Sequence, residues 1–364
     1  MLYNVKLIRS KTVFPHCPFP FGGCYLMTIN DIARLANTSK STVSRILAGN
    51  DKVNKNTRDK VLQVIDEYNY HPNSLARSLA SGKMNVVSVI VPDLQNPFYS
   101  SVVWYIEREL YNSGYHMFLY CSNNDTEKES VCFELTRQNS FAGIIIISPV
   151  GKDYLKRESS DPECPVILLN RFLDDFPGDV LTVNNFEAAY AATEFLIEIG
   201  HRKLAVLSAE TSAYTHSERL FGFRQALKEN DIDFSEKFHF IGDLSFEGCY
   251  KIGEHILSMG SDMPTAVFCT SDMMAIGMMQ TLKSGGIRIP QDISVIGFDD
   301  IPVAQLAGID LTTVRQPYEQ IGVQAVNMLI HRMHNAKDPY RQITLNCELI
   351  KRNSTVAPDS TNED

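Results

Sequence analysis

The basic residues of this 364-residue chain are concentrated near its N-terminus, where they could contact phosphate groups. Residues 27–84 hold nine Lys/Arg and five Asp/Glu, and residues 1–26 add three basic residues. Since the net charge of the whole chain is -9, residues 85–364 carry -16. A basic head on an acidic body is typical of a protein that binds nucleic acid at one end.

Two short amphipathic helices would position this charge. Apolar residues recur at helical spacing from Ile29 to Ala36 and again from Val43 to Leu47, with the polar residues 37–39 between them. Two short helices joined by a three-residue turn predict a helix-turn-helix, whose second helix enters the DNA major groove. Taken alone, this pair of helices also fits an ordinary helical cap on an enzyme.

The helix ends carry suitable capping residues. Thr28 and Asp31 have the spacing of a capping box, and Ser39 is a favourable N-cap for the second helix. Asn37 tolerates the left-handed backbone that a tight turn requires, and Gly49 suits the end of the second helix. A third amphipathic helix is predicted over residues 54–70.

The continuation of the chain decides between these alternatives, because it resembles the DNA-binding head and hinge of the LacI–GalR family of bacterial repressors. The third helix is expected to bury Val61, Leu62, Ile65 and Tyr68 on one face. The motifs that carry the resemblance are Thr42-Val43-Ser44-Arg45, Asn69-Tyr70-x-Pro72-Asn73 and Ala76-Arg77-Ser78-Leu79.

The resemblance implies specific DNA contacts. Lys40, Ser41 and Arg45 are expected at base edges, and Arg45 has the geometry for a bidentate contact with guanine. Leu79 is expected to insert into the minor groove from a hinge helix that orders on DNA. The full set of predicted DNA-binding residues is Thr28, Ile29, Ser39, Lys40, Ser41, Thr42, Ser44, Arg45, Asn54, Thr57, Asn73, Ala76 and Leu79. Several of the polar ones, Asn54 above all, would serve equally well as helix caps.

The sequence after residue 84 alternates between predicted strands and predicted helices, which indicates parallel βαβ winding. The pattern begins at the apolar strand Asn85–Pro92 and restarts near residue 186, as in two lobes of about 100 residues each. By resemblance, the predicted fold is an all-α helix-turn-helix head plus an α/β two-lobed periplasmic-binding-protein-like (type I) body with parallel sheets. The chain would cross between lobes near residues 184–185, 313–316 and 339–343.

These patterns divide the chain as follows. Residues 1–26 are expected to be a start-site artefact or a disordered extension, 27–72 the DNA-binding domain and 73–84 the hinge and linker. Residues 85–358 form the effector-binding and dimerisation domain, and 359–364 a disordered tail. Lobe 1 is predicted over 85–183 and 316–338, and lobe 2 over 186–312 and 343–358.

Parallel sheets bind ligands at the carboxyl ends of their strands, so a small-molecule effector is expected between the lobes. Aromatic, amide, carboxylate and guanidinium groups at those ends suit a polyhydroxylated ligand. The predicted effector-binding residues are Phe98, Tyr99, Asn124, Asn170, Arg171, Arg219, Phe246, Asp272, Asp299 and Gln316. Asp272 and Asp299 could equally be structural caps.

Two departures from the family bear on the effector. Many members have Asp-Asn at the first crossing, where this chain has Asn184-Asn185, and a ligand-stacking aromatic after a Gly-Asp pair is replaced here by Leu244. Phe246 could substitute for that aromatic. A sugar, sugar acid or related catabolite is the expected effector, with a purine as the alternative, and the sequence leaves open whether the effector releases or tightens DNA binding.

Other classes of function find little support. The eight cysteines are scattered, which favours free thiols, and no apolar run approaches the roughly 20 residues of a membrane span. Nucleotide-binding, hydrolase-elbow and zinc-protease motifs are absent, so no catalysis, cofactor or metal is expected. His331 and His334 read as a solvated helix face. The expected protein is a homodimeric regulator in the bacterial cytoplasm, associated with the nucleoid and bound to double-stranded operator DNA.

Overall fold

The computed structural model describes residues 27–47, 53–68, 70, 84–161, 163–209, 214–242 and 246–358, with the backbone alone for residues 246 and 247. The chain divides into two compact units, residues 1–81 and 82–364, here called the head and the body. The predicted hinge residues Asn73, Ala76 and Leu79 lie outside the described residues. Within the described part of the chain, no helix is both long and apolar enough to cross a membrane.

The head contains three helices, α1 (Ile29–Leu35), α2 (Lys40–Leu47) and α3 (Lys55–Glu67). Its core is formed by apolar residues from all three helices and by the tyrosine after α3: Ile32, Ala33, Ala36, Val43, Ile46, Val61 and Tyr70. Asn37 has a φ of 50° in the turn between α1 and α2, as its residue type predicts.

The predicted buried face of α3 is wrong at one position. Leu62 is 47% exposed, whereas Val61 is fully buried and Val64 and Ile65 pack against the same core. Successive helical residues differ by about 100° in direction, so Leu62 points away from the stripe that its neighbour Val61 occupies.

The body contains two six-stranded sheets, each flanked by helices. Lobe 1 contains β1 (Met84–Val91), α4 (Pro97–Asn112), β2 (His116–Cys121), α5 (Thr126–Gln138), β3 (Phe141–Ile147), α6 (Asp153–Glu158), β4 (Val166–Leu169), β5 (Asp179–Val183), α11 (Tyr318–His334) and β11 (Gln342–Leu345). Its strand order is β11-β5-β4-β3-β1-β2, and all of its described pairings are parallel.

Lobe 2 repeats this architecture. It contains α7 (Asn185–Glu198), β6 (Leu204–Ser208), α8 (Tyr214–Glu229), β7 (His239–Ile241), α9 (Phe246–Ser258), β8 (Ala266–Cys269), α10 (Asp272–Ser284), β9 (Ser294–Asp299), β10 (Thr312–Arg315) and β12 (Glu348–Ile350). Its strand order is β12-β10-β9-β8-β6-β7, and the edge strand β12 runs antiparallel to β10. The predicted α/β body of two parallel-sheet lobes is confirmed.

The third crossing between the lobes comes later than the predicted 339–343. β11 pairs in parallel with β5 and therefore extends the sheet of lobe 1, so the chain crosses at residues 346–347. A buried ion pair anchors this return, because Arg332 donates to both carboxylate oxygens of Asp179 at 3.0 and 2.8 Å. The Arg341 amide donates to the same carboxylate at 2.7 Å. The alternation of half-buried and exposed residues in β11 is too short to assign it to a lobe by pattern alone.

Candidate functional site

The exposed face of α2 carries the side chains predicted to read DNA bases. Lys40, Ser41, Ser44 and Arg45 are all exposed. The opposite face of the same helix is anchored in the head core by Val43 and Ile46. The head therefore presents two cationic and two hydroxyl side chains on one short helix, as a major-groove recognition helix requires.

The other predicted DNA contacts in the head have structural roles of their own. Thr28 accepts from the Asp31 amide at 3.3 Å and its own amide donates to the Asp31 carboxylate at 3.0 Å, forming the predicted capping box. The Ser39 hydroxyl accepts from the Thr42 amide at 3.2 Å, and Asn54 accepts from an amide in the first turn of α3.

Of the remaining three predicted head contacts, Ile29 is half-buried and packs against the core, and Thr57 is half-buried on α3. Thr42 is half-buried on α2, and its hydroxyl hydrogen-bonds the Ser39 hydroxyl at 2.8 Å. Ile29 thus has a packing role that its place in the predicted DNA-binding set did not anticipate.

A polar cavity lies between the lobes, at the carboxyl ends of the central strands. The space between its lining atoms, counted together with the open solvent at its mouth, is about 290 Å³. Its lining combines lobe 1 and lobe 2 residues: Asn96, Phe98, Tyr99, Asn170, Thr215, His216, Arg219, Ser271 and Asp299. A second, more apolar cavity shares Phe98 and Asn170 with it and also touches Gln316, on the second crossing. Together these two cavities are called the cleft below.

Arg219 is the cation of the cleft, and it is 3% exposed. Its Nε donates to Asn185 Oδ1 at 2.8 Å and its Nη1 to the Thr270 carbonyl at 2.7 Å. The guanidinium carbon lies 3.6 Å from the centre of the Phe298 ring, a cation–π contact. Helix α8 thus holds the Arg219 guanidinium in one position at the cleft, largely removed from solvent.

Asp299, at the end of β9, faces this guanidinium. Its Oδ1 lies 3.5 Å from Arg219 Nη1 and accepts a hydrogen bond from Gln316 Nε2 at 2.7 Å. The amide of Asp272 also donates to its carboxylate. Burial raises the pKa of Asp299, while the Arg219 charge and the Gln316 hydrogen bond oppose that rise. Asp299 therefore links lobe 2 to the second crossing.

Asp272 has a different position from the one predicted. It is fully buried inside lobe 2 and is not among the residues that line the cleft. Its carboxylate accepts from the Thr313 hydroxyl at 2.5 Å and from the Ile301 amide at 2.9 Å. Burial, followed by the nearby Asp299 charge, raises the pKa of Asp272. Asp272 therefore has the structural role that was the alternative to ligand binding. Its carboxylate hydrogen-bonds β10 and the loop after β9, and so holds both against the start of α10.

The aromatic side of the cleft comes from the first turns of α4. The Phe98 and Tyr99 rings meet edge to face with centroids 5.0 Å apart, and Phe98 also lies 5.9 Å from Tyr318. The Tyr99 hydroxyl bonds the Ser148 side chain, which in turn accepts from Asn170 Nδ2 at 2.8 Å. Burial raises the pKa of Tyr99, so its hydroxyl stays protonated and can donate or accept.

Two other predicted effector contacts, Arg171 and Asn124, are not among the described residues that line the cleft. Arg171 is buried, and its Nη1 donates to the carbonyls of Pro149 and Val150, so it holds the loop after β3 rather than facing a ligand. Asn124 is exposed in a left-handed turn at a φ of 57°. Phe246 begins α9, but its side chain lies outside the described residues.

Sequence reasoning missed several residues that line the cleft, above all His216. Its Nδ1 hydrogen-bonds Thr270 Oγ1 at 2.8 Å, and burial lowers its pKa to about 3, so the ring is neutral. The sequence before residue 218 is polar, whereas α8 already begins at Tyr214. His216 and Arg219 are three apart on that helix and face the same way, which would have identified the histidine.

The comparisons with known proteins agree with this geometry. Residues 28–73 match the family model of bacterial regulatory proteins, lacI family, and residues 193–355 match that of a periplasmic binding protein-like domain. The HTH-type transcriptional repressor PurR of Vibrio vulnificus (strain CMCP6) is 32% identical over 330 residues, 90% of this chain and 98% of that protein.

Two solved structures are informative as well. A lac repressor dimer bound to operator and the anti-inducer ONPF superimposes with a TM-score of 0.82 at 26% identity, covering 92% of this chain and all of that one. A LacI family transcriptional regulator from Enterococcus faecium with bound ribose gives a TM-score of 0.67 at 28% identity, covering 75% of this chain and 99% of that one.

Proposed function

Because the chain belongs to the LacI family of bacterial transcriptional regulators, we propose that it represses transcription by binding a palindromic operator as a homodimer, with an affinity set by a sugar in the cleft. The relation to repressors extends over nine-tenths of the chain and covers both the head and the body. The single observation that carries the ligand response is the polar cleft, which both lobes line and the crossing residue Gln316 touches.

The head supports operator binding through α2. Arg45, Lys40 and Ser41 are exposed on this helix. Arg45 is proposed to donate two hydrogen bonds to guanine, and Lys40 and Ser41 are proposed to distinguish one operator from another. Paired Leu79 side chains are proposed to kink the centre of the site from the minor groove. A palindrome follows from two-fold symmetry, since each subunit would read one half-site.

The outer face of α4 supports a dimer. Trp104 is 57% exposed and Tyr111 is 70% exposed, although both are large aromatic residues on one helix. Arg108 lies against Trp104 and pairs with Glu319 of α11 at 2.5 Å. Exposed aromatic residues beside arginine are typical of protein interfaces, so this face is proposed to meet its symmetry mate.

The cleft supports a small polar effector. Its amide, hydroxyl and imidazole groups can bond the hydroxyls of a sugar, and Phe98 and Tyr99 offer an apolar edge for the sugar ring. The similar Enterococcus faecium regulator contains bound ribose. A purine is the second candidate, because the repressor PurR is among the similar proteins. No catalytic step is part of this proposal.

The operator claim can be tested by selecting random DNA duplexes on the purified full chain and sequencing the bound fraction. The expected product is a palindromic consensus whose complex weakens as salt is raised, because phosphate contacts release counterions. A selection that enriches no sequence above the starting pool at any salt concentration would contradict the repressor function.

A further inference from the structure

The charge of Arg219 is already balanced within the cleft. Asp299 lies 3.5 Å away, and both side chains are at least nine-tenths buried, so solvent screens their attraction only weakly. Among the described lining residues of both cavities, the other charged candidate is His216, which is neutral. The described cleft therefore has no uncompensated cation.

The undescribed residues between the elements of the body cannot add a lysine or arginine to the cleft. Residues 162, 210–213 and 243–245 contain no lysine or arginine, and neither do residues 246 and 247. Every basic residue of the body except Lys83 is therefore described, and among the described ones Arg219 is the one that lines the cleft. A carboxylate or phosphate entering the cleft would have to displace Asp299 or remain unpaired, which is costly in a buried site.

The side chain of Gln316 favours a ligand that donates a hydrogen bond. The residue is 1% exposed and its Nε2 donates to Asp299 at 2.7 Å, which fixes the orientation of its amide. Its Oε1 is buried and has no hydrogen-bond partner. A buried acceptor without a partner is destabilising, so a ligand hydroxyl or N–H that reached it would remove this penalty.

We propose that the cleft is selective for uncharged ligands that donate a hydrogen bond to Gln316 Oε1, and that it excludes sugar acids and sugar phosphates. This inference rests on the proposed role of the cleft as an effector site. It limits the expected effectors to neutral sugars and to other uncharged molecules that can donate a hydrogen bond.

The test is calorimetric titration of the full chain with matched pairs of probes. These are D-ribose against D-ribose 5-phosphate, D-glucose against D-glucuronate, and hypoxanthine against inosine 5′-phosphate. The uncharged member of a pair is expected to bind at least about tenfold more tightly, the discrimination that 1.4 kcal/mol gives. An anionic probe that binds as tightly as its neutral counterpart overturns the inference but leaves the repressor function standing. If hypoxanthine is the probe that binds, the inference holds and the sugar assignment fails.

A charge-switch variant provides an independent check. Asp299→Asn keeps an acceptor for Gln316 but leaves Arg219 unpaired, so the affinity for D-glucuronate or D-ribose 5-phosphate should rise at least about tenfold. Asp300→Asn is the matched control, because Asp300 pairs with Arg315 and Arg352 at 2.6 Å and does not line the cleft. An unchanged preference for neutral probes in Asp299→Asn, with its thermal unfolding intact, would refute the charge-balance argument.

Discussion

Asp299 Oδ1 lies 2.7 Å from Gln316 Nε2, and this contact joins the end of strand β9 to the second crossing between the lobes. The same carboxylate faces Arg219 on α8, so three segments that are distant in sequence meet at one buried oxygen. Because Gln316 precedes α11 of lobe 1, a ligand that changes this contact acts directly on the segment between the lobes. This contact is the route by which the proposed effector would act on the arrangement of the lobes.

Removing Arg219 should destabilise the body strongly. Arg219→Met leaves Asp299 buried beside an apolar side chain, and breaking one side of a buried ion pair costs about 3–5 kcal/mol. Urea denaturation measures this loss. Arg224→Met on the same helix is the control, since Arg224 pairs with the exposed Glu236 and should cost less than about 1 kcal/mol. Equal losses in the two variants would mean that burial of the Arg219 pair is irrelevant to stability.

The buried carboxyl of Asp272 should make stability depend on pH in a defined direction. Its pKa is raised in the folded state, so the folded protein binds this proton more tightly than the unfolded chain does. The stabilisation is present below the unfolded pKa, near 4, and is lost as the pH rises through the raised folded pKa. We therefore expect wild type to lose stability relative to Asp272→Asn as the pH rises from about 5 to about 8, so that the unfolding free energy of wild type minus that of the variant falls over this range. A difference that stays flat, or that rises, contradicts the assignment.

Arg45 should determine operator sequence as well as affinity. Arg45→Ala is expected to weaken the complex by about 1–3 kcal/mol and to relax the preference for guanine at one position of each half-site. Fluorescence anisotropy with single-base operator variants at fixed salt measures both effects. Arg34→Ala, which removes an exposed side chain paired with Asp31 on α1, should leave the base preference unchanged. A relaxed preference in both variants would remove Arg45 from its proposed role.

Trp104 is the single tryptophan of the chain and should report dimer formation. Burial of its exposed side chain at the α4 face predicts a blue shift of tryptophan emission as the protein concentration rises. Trp104→Glu should yield a monomer in analytical ultracentrifugation, because a charge would be buried at the interface. Phe221→Glu, at a 55% exposed position on α8, is the control. A dimer of unchanged affinity in Trp104→Glu would rule out this face.

Leu79→Ala tests the hinge prediction. Loss of the apolar wedge should lower operator affinity because the bent DNA is no longer stabilised, whereas probe binding by the body should stay the same. The two effects are separable by anisotropy on the operator and by calorimetry with the neutral probes. Wild-type operator affinity in Leu79→Ala would show that the hinge leucine does not contribute.

Much of the architecture could be predicted because it depends on local patterns. The two short head helices and the turn at residues 37–39 lie where the sequence predicts them, and strand β1 lies within one residue of the predicted Asn85–Pro92, since apolar patterns and flanking polar residues mark all of them. The capping box at Thr28 and the left-handed Asn37 were also predictable from residue type.

The errors share a physical cause, because long-range contacts override local pattern. His216 lies in a polar turn of helix that becomes buried only when α8 packs against the strand before Thr270. Arg171 follows the end of a strand, where ligand contacts are expected, but its guanidinium donates hydrogen bonds to two carbonyls of the neighbouring loop. The orphaned Gln316 oxygen has no signature in the sequence at all.

The most direct test of the central claim is whether a ligand in the cleft changes DNA affinity. Operator affinity of the full chain is measured by anisotropy with and without the neutral probe that calorimetry identifies, in wild type and in Gln316→Leu. We predict at least about a fivefold change in the wild-type operator dissociation constant, the lower end of typical allosteric coupling, and a much smaller change in Gln316→Leu. An operator affinity that does not respond to a probe saturating the wild-type cleft would contradict the account.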